Sequence, residues 1–127
     1  MTILGIGMDI VETKRIAESM ERFGDRFLHR IFLEDEVAYS RSMKSPHLHL
    51  AARFAAKEAI SKAFGTGIGR EIGWRDMEIV REASGRPLVV LHGRGVEYAK
   101  SRGVREIHVS LSHTADYGAA SAVVVGE

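Results

Sequence analysis

Cysteine is absent from this sequence of 127 residues, which excludes disulfide bonds and metal sites built from thiolates. No hydrophobic run approaches the length of a membrane span. The first residues, MTILGIGMD, have no basic segment and reach Asp9 too early for a secretory signal peptide. The net charge is only +1, so no overall field favours nucleic acid as a partner. We therefore expect a cytoplasmic protein that binds neither membrane nor nucleic acid.

The hydrophobic fraction of 45% is that of an ordinary globular protein, and we see no repeat, linker or low-complexity tract. We therefore predict a single domain over residues 1–127. Alternation predicts a strand over 3–11, and helical spacing predicts helices from Thr13, over 33–43, and from about His47 to Phe64. After Gly65 the period becomes two, with a hairpin turn at 83–85, a short helix closed by Gly103, and two final strands. The predicted class is α+β, with a mostly antiparallel sheet packed around the long alanine-rich helix.

Asp9 ends a strand face that is otherwise glycine, because Gly5 and Gly7 alternate with it. If the alanine-rich helix lies on this bare face, Asp9 and Glu58 converge. Two carboxylates without Cys or His favour a hard cation such as Mg²⁺, which also takes phosphate oxygens. The alternative is a strand-end acid that points into water.

Glu58 and Lys62 are four residues apart and share one helix face. A glutamate followed by a lysine at this spacing is also the preferred surface ion pair, worth only about 0.2–0.5 kcal/mol. The pair taken alone favours that ordinary interpretation.

Two further segments have a functional and a structural interpretation. The glycines of GTGIG (65–69) let backbone N–H groups approach a phosphate, although a helix end followed by a turn explains the same letters. In SLSHT (110–114), a Ser-His-acid triad is disfavoured because adjacent Ser and His point to opposite sides of a strand. Hydroxyl and imidazole donors to a phosphate fit better, and a polar turn is the alternative.

Four arginines lie near one stripe if the first helix continues past Gly24; they are Arg15, Arg22, Arg26 and Arg30. The stripe would suit an acidic partner. Interspersed acids make a solvated face of salt bridges a serious alternative.

Three segments together are far more specific than any one: GIGMDIVETKRIA (5–17), RFAAKEAISKAFGTGIG (53–69) and HVSLSHT (108–114). In this order and at these distances they closely resemble the holo-[acyl-carrier-protein] synthases, the small bacterial class of 4′-phosphopantetheinyl transferases. The resemblance spans nearly the whole chain and implies the fold of that family.

The resemblance implies transfer of the phosphopantetheine arm of coenzyme A to a serine of apo-acyl carrier protein, in fatty acid biosynthesis. Adenosine 3′,5′-bisphosphate is released. Asp9 and Glu58 would hold Mg²⁺, or Mn²⁺, against the pyrophosphate, and Lys62 would steady the leaving group. Glu58 would also serve as base, directly or through a metal-bound water. The other implied contacts with coenzyme A are Arg53, Gly65, Gly67, His113 and Thr114.

The family also implies partners. Carrier proteins of this pathway are acidic, so Arg15 and Arg22 become candidate contacts for one. Larger members of the superfamily carry two similar halves, and this chain has the length of about one half. A homotrimer with sites at its subunit interfaces is therefore expected. Two rival functions remain: a phosphate-binding trimer without turnover, and a Mg²⁺-dependent phosphohydrolase that uses water in place of serine.

Overall fold

A computed structural model describes residues 1–127 and confirms the α+β class. In chain order the elements are β1 (Thr2–Glu12), α1 (Thr13–Phe23), α2 (Asp25–Ile31), α3 (Glu34–Arg41), α4 (Pro46–Phe64), β2 (Met77–Arg81), β3 (Pro87–Leu91), α5 (Arg94–Ser101), β4 (Val104–His113) and β5 (Tyr117–Gly126). A single 3₁₀ turn, Trp74–Asp76, precedes β2. None of the helices combines the length and hydrophobicity that crossing a bilayer requires.

The strands form two sheets, where the sequence predicted one. A three-stranded antiparallel sheet has the order β1-β5-β4, and β2 pairs only with β3. The predicted hairpin is confirmed, but β3 is followed by Gly93, which has a φ of 48°, and then by α5. This detour redirects the chain, so that β4 pairs with β5 and the hairpin remains separate.

The glycine face of β1 lies against α4, as the sequence predicted. A Cβ atom added to Gly5 would lie 1.9 Å from the carbonyl oxygen of Ala63, and one added to Gly7 would lie 1.9 Å from that of Ala59. The alanines of α4 nearer its start lie instead under β5, where a Cβ on Gly118 would lie 2.7 Å from the carbonyl carbon of Ala51. Small residues on both surfaces therefore let helix and sheet approach closely, and this brings Asp9 to Glu58 and Lys62.

Replacing Gly7 by alanine is expected to lower the free energy of unfolding by about 3 kcal/mol or more, because the new methyl group meets backbone that cannot move away. Urea denaturation at one fixed protein concentration measures this loss. Gly103→Ala is the control, since its methyl group meets no atom within 4 Å and is strained only by a φ of 68°. It should cost about 1–2 kcal/mol. Equal losses in the two variants would contradict the close packing.

Gly24 breaks the first helix, so the helix does not continue in the way that a single stripe of four arginines requires. It has a φ of 57°, and its N–H donates to the carbonyl of Met20, which ends α1. A separate short helix, α2, then begins at Asp25. The single stripe of four arginines is therefore wrong, because two of them lie on α1 and two on α2. Four helices, rather than the predicted three, precede the hairpin.

The apolar face of β1 points outward. Its core side is the glycine face, so Ile6, Met8 and Ile10 lie on the outer side of the sheet, where Ile6 is 72% and Met8 73% exposed. The hydrophobic core lies on the opposite side of the sheet, around α4. A row of three large apolar side chains is thus left uncovered on this face of the sheet.

Candidate active site

Asp9 and Lys62 form the centre of the first cluster of functional side chains. The Lys62 ammonium donates to Asp9 Oδ1 at 3.1 Å and to the backbone carbonyl of Met8 at 3.2 Å. Asp9 is 19% exposed and Lys62 is 50% exposed, so the acid is sheltered while the cation reaches the surface. Lys62 therefore pairs across to β1, and the ordinary surface pair with Glu58 is not what the structure forms.

Glu58 lies beside this pair on α4. Burial and the neighbouring Asp9 carboxylate raise the pKa of Glu58, while Lys62 opposes the shift. Two carboxylates that repel each other in a partly desolvated place are a fitting donor set for a hard divalent cation. No group of three or more acidic, histidine or cysteine ligands exists in the protein. A cation here would thus draw its remaining ligands from water and phosphate, as Mg²⁺ commonly does.

The raised pKa of Glu58 predicts that this side chain costs stability when it ionises in metal-free protein. An acid whose folded pKa is raised is disfavoured as an anion, so stability falls as pH rises from its ordinary 4.5 through the folded value. In EDTA, Glu58→Gln should therefore melt at a higher temperature than the unsubstituted protein at pH 8, and the difference should vanish below pH 4.5. Calorimetric scans across pH test this.

The matched control for that experiment is Glu21→Gln, because Glu21 is an exposed acid on α1 outside the cluster. Its melting curve should follow that of the unsubstituted protein at every pH. A Glu58→Gln variant that is no more stable at pH 8 would contradict the proposed repulsion with Asp9.

A second cluster contains Arg53, His113 and three residues that sequence analysis did not select. The His49 and His113 rings lie 4.9 Å apart, and the Arg53 guanidinium lies 4.5 Å from the centre of the Tyr39 ring. Arg81 approaches the same ring at 5.7 Å. Arg53 is only 2% exposed, and its Nε atom has no hydrogen-bond partner.

The electrostatics of the second cluster favour an anion. Burial lowers the pKa of His49, and the charges of His113, Arg53 and Arg81 lower it further. Burial also lowers the pKa of Arg53, and Glu36 opposes that shift. A bound phosphate would relieve the repulsion among these cationic groups and supply a partner for the guanidinium.

The remaining predicted contacts lie at chain turns. Thr114 Oγ1 accepts hydrogen bonds from the N–H groups of Asp116 and Tyr117, so it closes the turn between β4 and β5 while its own O–H can still donate. Gly65 caps α4 with a φ of 82°, and Gly67 follows with a φ of 67°. The glycine segment is thus a helix end followed by a turn, and Thr114 closes a polar turn. Both arrangements are compatible with contacts to a phosphate.

The two clusters lie on different faces of α4. Arg53 precedes Lys62 by about two and a half helical turns, which places the two side chains on opposite sides of the helix. The structure therefore brings Asp9, Glu58 and Lys62 together, and separately brings Arg53 near His113. It does not unite the two groups within one subunit.

A third feature is a groove between α1, α2 and α4 of about 330 Å³, which adjoins a second cavity of about 340 Å³. Arg15 and Arg22 line it, next to exposed Phe23 and to Phe27 and Phe54. The Arg22 guanidinium lies 5.2 Å from the centre of the Phe23 ring. The groove thus combines apolar side chains with two arginines, and Glu18 is the one acid in its lining.

Some residues of these sites left a signal in the sequence. His49 precedes Arg53 by one helical turn, so their shared face was readable from spacing. Phe54 projects from the alanine-rich helix toward α1, and this follows from the same periodicity. Tyr39 and Arg81 come from α3 and β2, and no local pattern indicates that these elements meet.

Comparisons with known proteins identify the family. The family profile of the 4′-phosphopantetheinyl transferase superfamily matches residues 5–121. A holo-[acyl-carrier-protein] synthase of Koribacter versatilis is 49% identical over 122 residues, which cover 96% of this chain and 98% of that protein. The chain belongs to the 4′-phosphopantetheinyl transferase superfamily.

Solved structures show the same fold. The holo-[acyl-carrier-protein] synthase of Neisseria meningitidis superposes with a TM-score of 0.91 at 35% identity, covering 98% of this chain and 99% of that one. The Helicobacter pylori enzyme, solved in complex with coenzyme A, superposes with a TM-score of 0.85 at 32% identity, covering 94% of this chain and 99% of that one. The resemblance inferred from the three sequence segments is confirmed.

Proposed function

We propose that this protein is a holo-[acyl-carrier-protein] synthase, which transfers the phosphopantetheine arm of coenzyme A to a serine of apo-acyl carrier protein. The observation that carries the proposal is the convergence of Asp9, Glu58 and Lys62, within a chain that matches such enzymes over nearly its whole length. In the reaction the serine oxygen bonds to the β-phosphorus of coenzyme A. The bond to the bridging oxygen breaks, and adenosine 3′,5′-bisphosphate leaves.

Each side chain of the first cluster has a role in that displacement. Mg²⁺, or Mn²⁺, held by Asp9 and Glu58 would neutralise charge on the pyrophosphate oxygens. Lys62 reaches the surface, and its ammonium would donate to the leaving phosphate, on which negative charge develops. Glu58 would accept the serine proton, directly or through a metal-bound water molecule, because it lies beside Asp9 and Lys62 where the pyrophosphate would bind.

The second cluster is the proposed site for the 3′-phosphate of coenzyme A. Arg53, His113 and Thr114 supply donors there, and we add His49 and Arg81. The glycine loop at Gly65 and Gly67 lets the chain pass close to the cofactor. In coenzyme A only a ribose separates the 3′-phosphate from the pyrophosphate, so one molecule cannot easily meet opposite faces of α4 in one subunit. A neighbouring subunit is therefore the proposed source of the second cluster.

The exposed outer face of β1 supports a homotrimer. Ile6, Met8 and Ile10 are large apolar side chains more than half exposed, and the adjacent positions of β5, Ala119 and Ser121, are small. Asp9 alternates with these side chains and so lies on the opposite face of β1. Because β1 is an edge strand of its sheet, an interface that also covers its free edge would border the first cluster. A cyclic, heterologous contact between copies would join the two clusters at each interface. The cytoplasmic location stays a prediction of the sequence.

The groove beside α1 is the proposed docking surface for the carrier protein. It opens next to the first cluster, because α1 starts where β1 ends and Phe54 precedes Glu58 by one turn of α4. Its apolar side chains suit those of a partner helix, and its arginines suit an acidic one.

Arg15→Ala and Arg22→Ala are expected to raise KM for the carrier protein several-fold while KM for coenzyme A stays nearly unchanged. A charge at the rim acts mainly on encounter, so both variants should also flatten the dependence of kcat/KM on salt. Lys100→Ala, an exposed cation on α5, is the control. KM for the carrier protein is measured at two salt concentrations. If it is unchanged in both variants, the arginines belong to a solvated face and do not contact the carrier protein.

One assay tests the proposed function against both rivals. The protein is incubated with coenzyme A, Mg²⁺ and apo-acyl carrier protein, and the carrier is then weighed by mass spectrometry. A gain of one phosphopantetheine arm supports transfer. Hydrolysis of coenzyme A without that gain supports the phosphohydrolase, and binding without either reaction supports the phosphate-binding scaffold.

A further inference from the structure

Lys57 immediately precedes Glu58, yet its side chain is completely buried on another side of α4. Its ammonium donates three hydrogen bonds: to Glu36 Oε1 at 2.6 Å, to the carbonyl of Ile31 at 2.7 Å and to the carbonyl of Trp74 at 3.1 Å. All three of its donors are therefore satisfied by different segments of the chain.

Glu36 extends the same network. Its Oε1 atom also accepts from the N–H of Leu33 at 2.9 Å, and its Oε2 atom accepts from the N–H of Ile79 at 2.9 Å. The pair thus joins the end of α2, the start of α3, the middle of α4, the 3₁₀ turn and β2. None of these hydrogen bonds is made to a side chain of the first or the second cluster, although the charge of Glu36 acts on Arg53.

Two walls of the carrier groove depend on the segments that Lys57 holds. The ring of Trp74 stacks on Phe54, with centroids 4.8 Å apart and an interplanar angle of 29°. Phe27 lies on α2 and packs edge-on against Phe32 at 6.4 Å, and the Lys57 ammonium lies 5.2 Å from the centre of the Phe32 ring. The ammonium therefore contacts the supports of both groove aromatics.

We propose that the buried Lys57–Glu36 pair is a positioning unit, which fixes the Phe27 and Phe54 walls of the carrier groove relative to the catalytic carboxylate of Glu58. The inference rests on the proposed function, because it assigns a purpose to the groove. Lys57 does not touch substrate; it acts through the segments that it holds together. A buried ion pair is weak evidence for stability, because the cost of removing both charges from water offsets much of their attraction. Fixing the relative positions of packed elements is the better attested role of such pairs.

The test separates binding of the two substrates. Lys57→Met keeps the length of the side chain and removes its three donors. It should raise KM for apo-acyl carrier protein about tenfold, because small displacements of a docking surface carry large kinetic costs. KM for coenzyme A should change by no more than about twofold, since the first and second clusters keep their own contacts.

Trp74 provides a second readout, because it is the only tryptophan in the chain. Its fluorescence in folded Lys57→Met should be quenched by acrylamide more readily than in the unsubstituted protein, as the stack on Phe54 loosens. The control is Val124→Ala, which creates a cavity in the core under β5, away from the pair. It should lower the melting temperature yet leave both KM values and the Trp74 quenching unchanged.

The outcomes decide the proposal. If folded Lys57→Met matches Val124→Ala in carrier KM and in Trp74 quenching, the pair is merely structural and the inference is wrong. If Lys57→Met does not fold, Glu36→Gln is measured in its place, since it keeps the volume and offers Lys57 an amide oxygen. If neither variant unfolds cooperatively, the pair is needed for the fold itself and the positioning role is rejected.

Failure of the proposed function can be distinguished from failure of this inference. An unsubstituted protein that transfers no arm rejects the transferase, and the kinetic part of the inference falls with it. An active unsubstituted protein with an unaffected Lys57→Met variant rejects the inference alone.

Discussion

Glu58→Gln is expected to lower kcat/KM for transfer by roughly a hundredfold or more, and Asp9→Asn should do the same. Each change removes one of the two carboxylates available for a divalent cation, and Glu58→Gln also removes the proposed base. The fold should survive both changes, because neither side chain belongs to the hydrophobic core. Enzyme assays at several Mg²⁺ concentrations measure the loss, and calorimetric titration with Mg²⁺ should show weaker binding in both variants.

The same Glu58→Gln variant should be more stable than the unsubstituted metal-free protein at pH 8, so activity and stability move in opposite directions. This opposition excludes unfolding as the cause of lost activity. Either variant retaining full turnover at limiting Mg²⁺ would reject the shared metal site.

Met8→Lys is expected to dissociate the proposed trimer and with it to abolish transfer. Met8 is at the centre of the exposed face of β1, and a lysine buried there would place an unpaired charge in an apolar interface. Analytical ultracentrifugation at micromolar concentration gives the oligomeric state. Met43→Lys is the control, because Met43 is also partly exposed but lies outside the sheet, between α3 and α4. A stable and active monomer in the unsubstituted protein would reject the interface.

Mixed trimers test whether neighbouring subunits share a site. Glu58→Gln lacks the first cluster, and His113→Ala weakens the second. When the two variants are refolded together, about a quarter of the sites should combine an intact Glu58 with an intact His113 from its neighbour, if copies mix at random in a closed ring. At low coenzyme A the mixture should recover about that fraction of the full rate. Sites contained within one subunit would give no recovery above the average of the separate variants.

Local patterns in the sequence determined much of this protein. Alternation and helical spacing predicted the strands, the hairpin and α4, because each depends on neighbours along the chain. The glycine face of β1 and the alanines of α4 together predicted a close approach, and this placed Asp9 with Glu58 and Lys62. The glycine at position 24 also indicated a possible break, although a glycine alone does not determine whether a helix bends, continues or ends.

Only the tertiary structure decided the rest. The division of the strands between two sheets could not be predicted from the sequence. Strand pairing depends on the direction that the chain takes after α5, which alternation does not indicate. Lys62 pairs with Asp9 and not with its helix neighbour Glu58, because the packing of β1 on α4 brings the Asp9 carboxylate and the carbonyl of Met8 to its ammonium. The Lys57–Glu36 pair joins residues from distant segments, and its burial follows from how α2, α3 and β2 pack on α4. Spacing along a chain records which residues share a face; packing alone determines what that face meets.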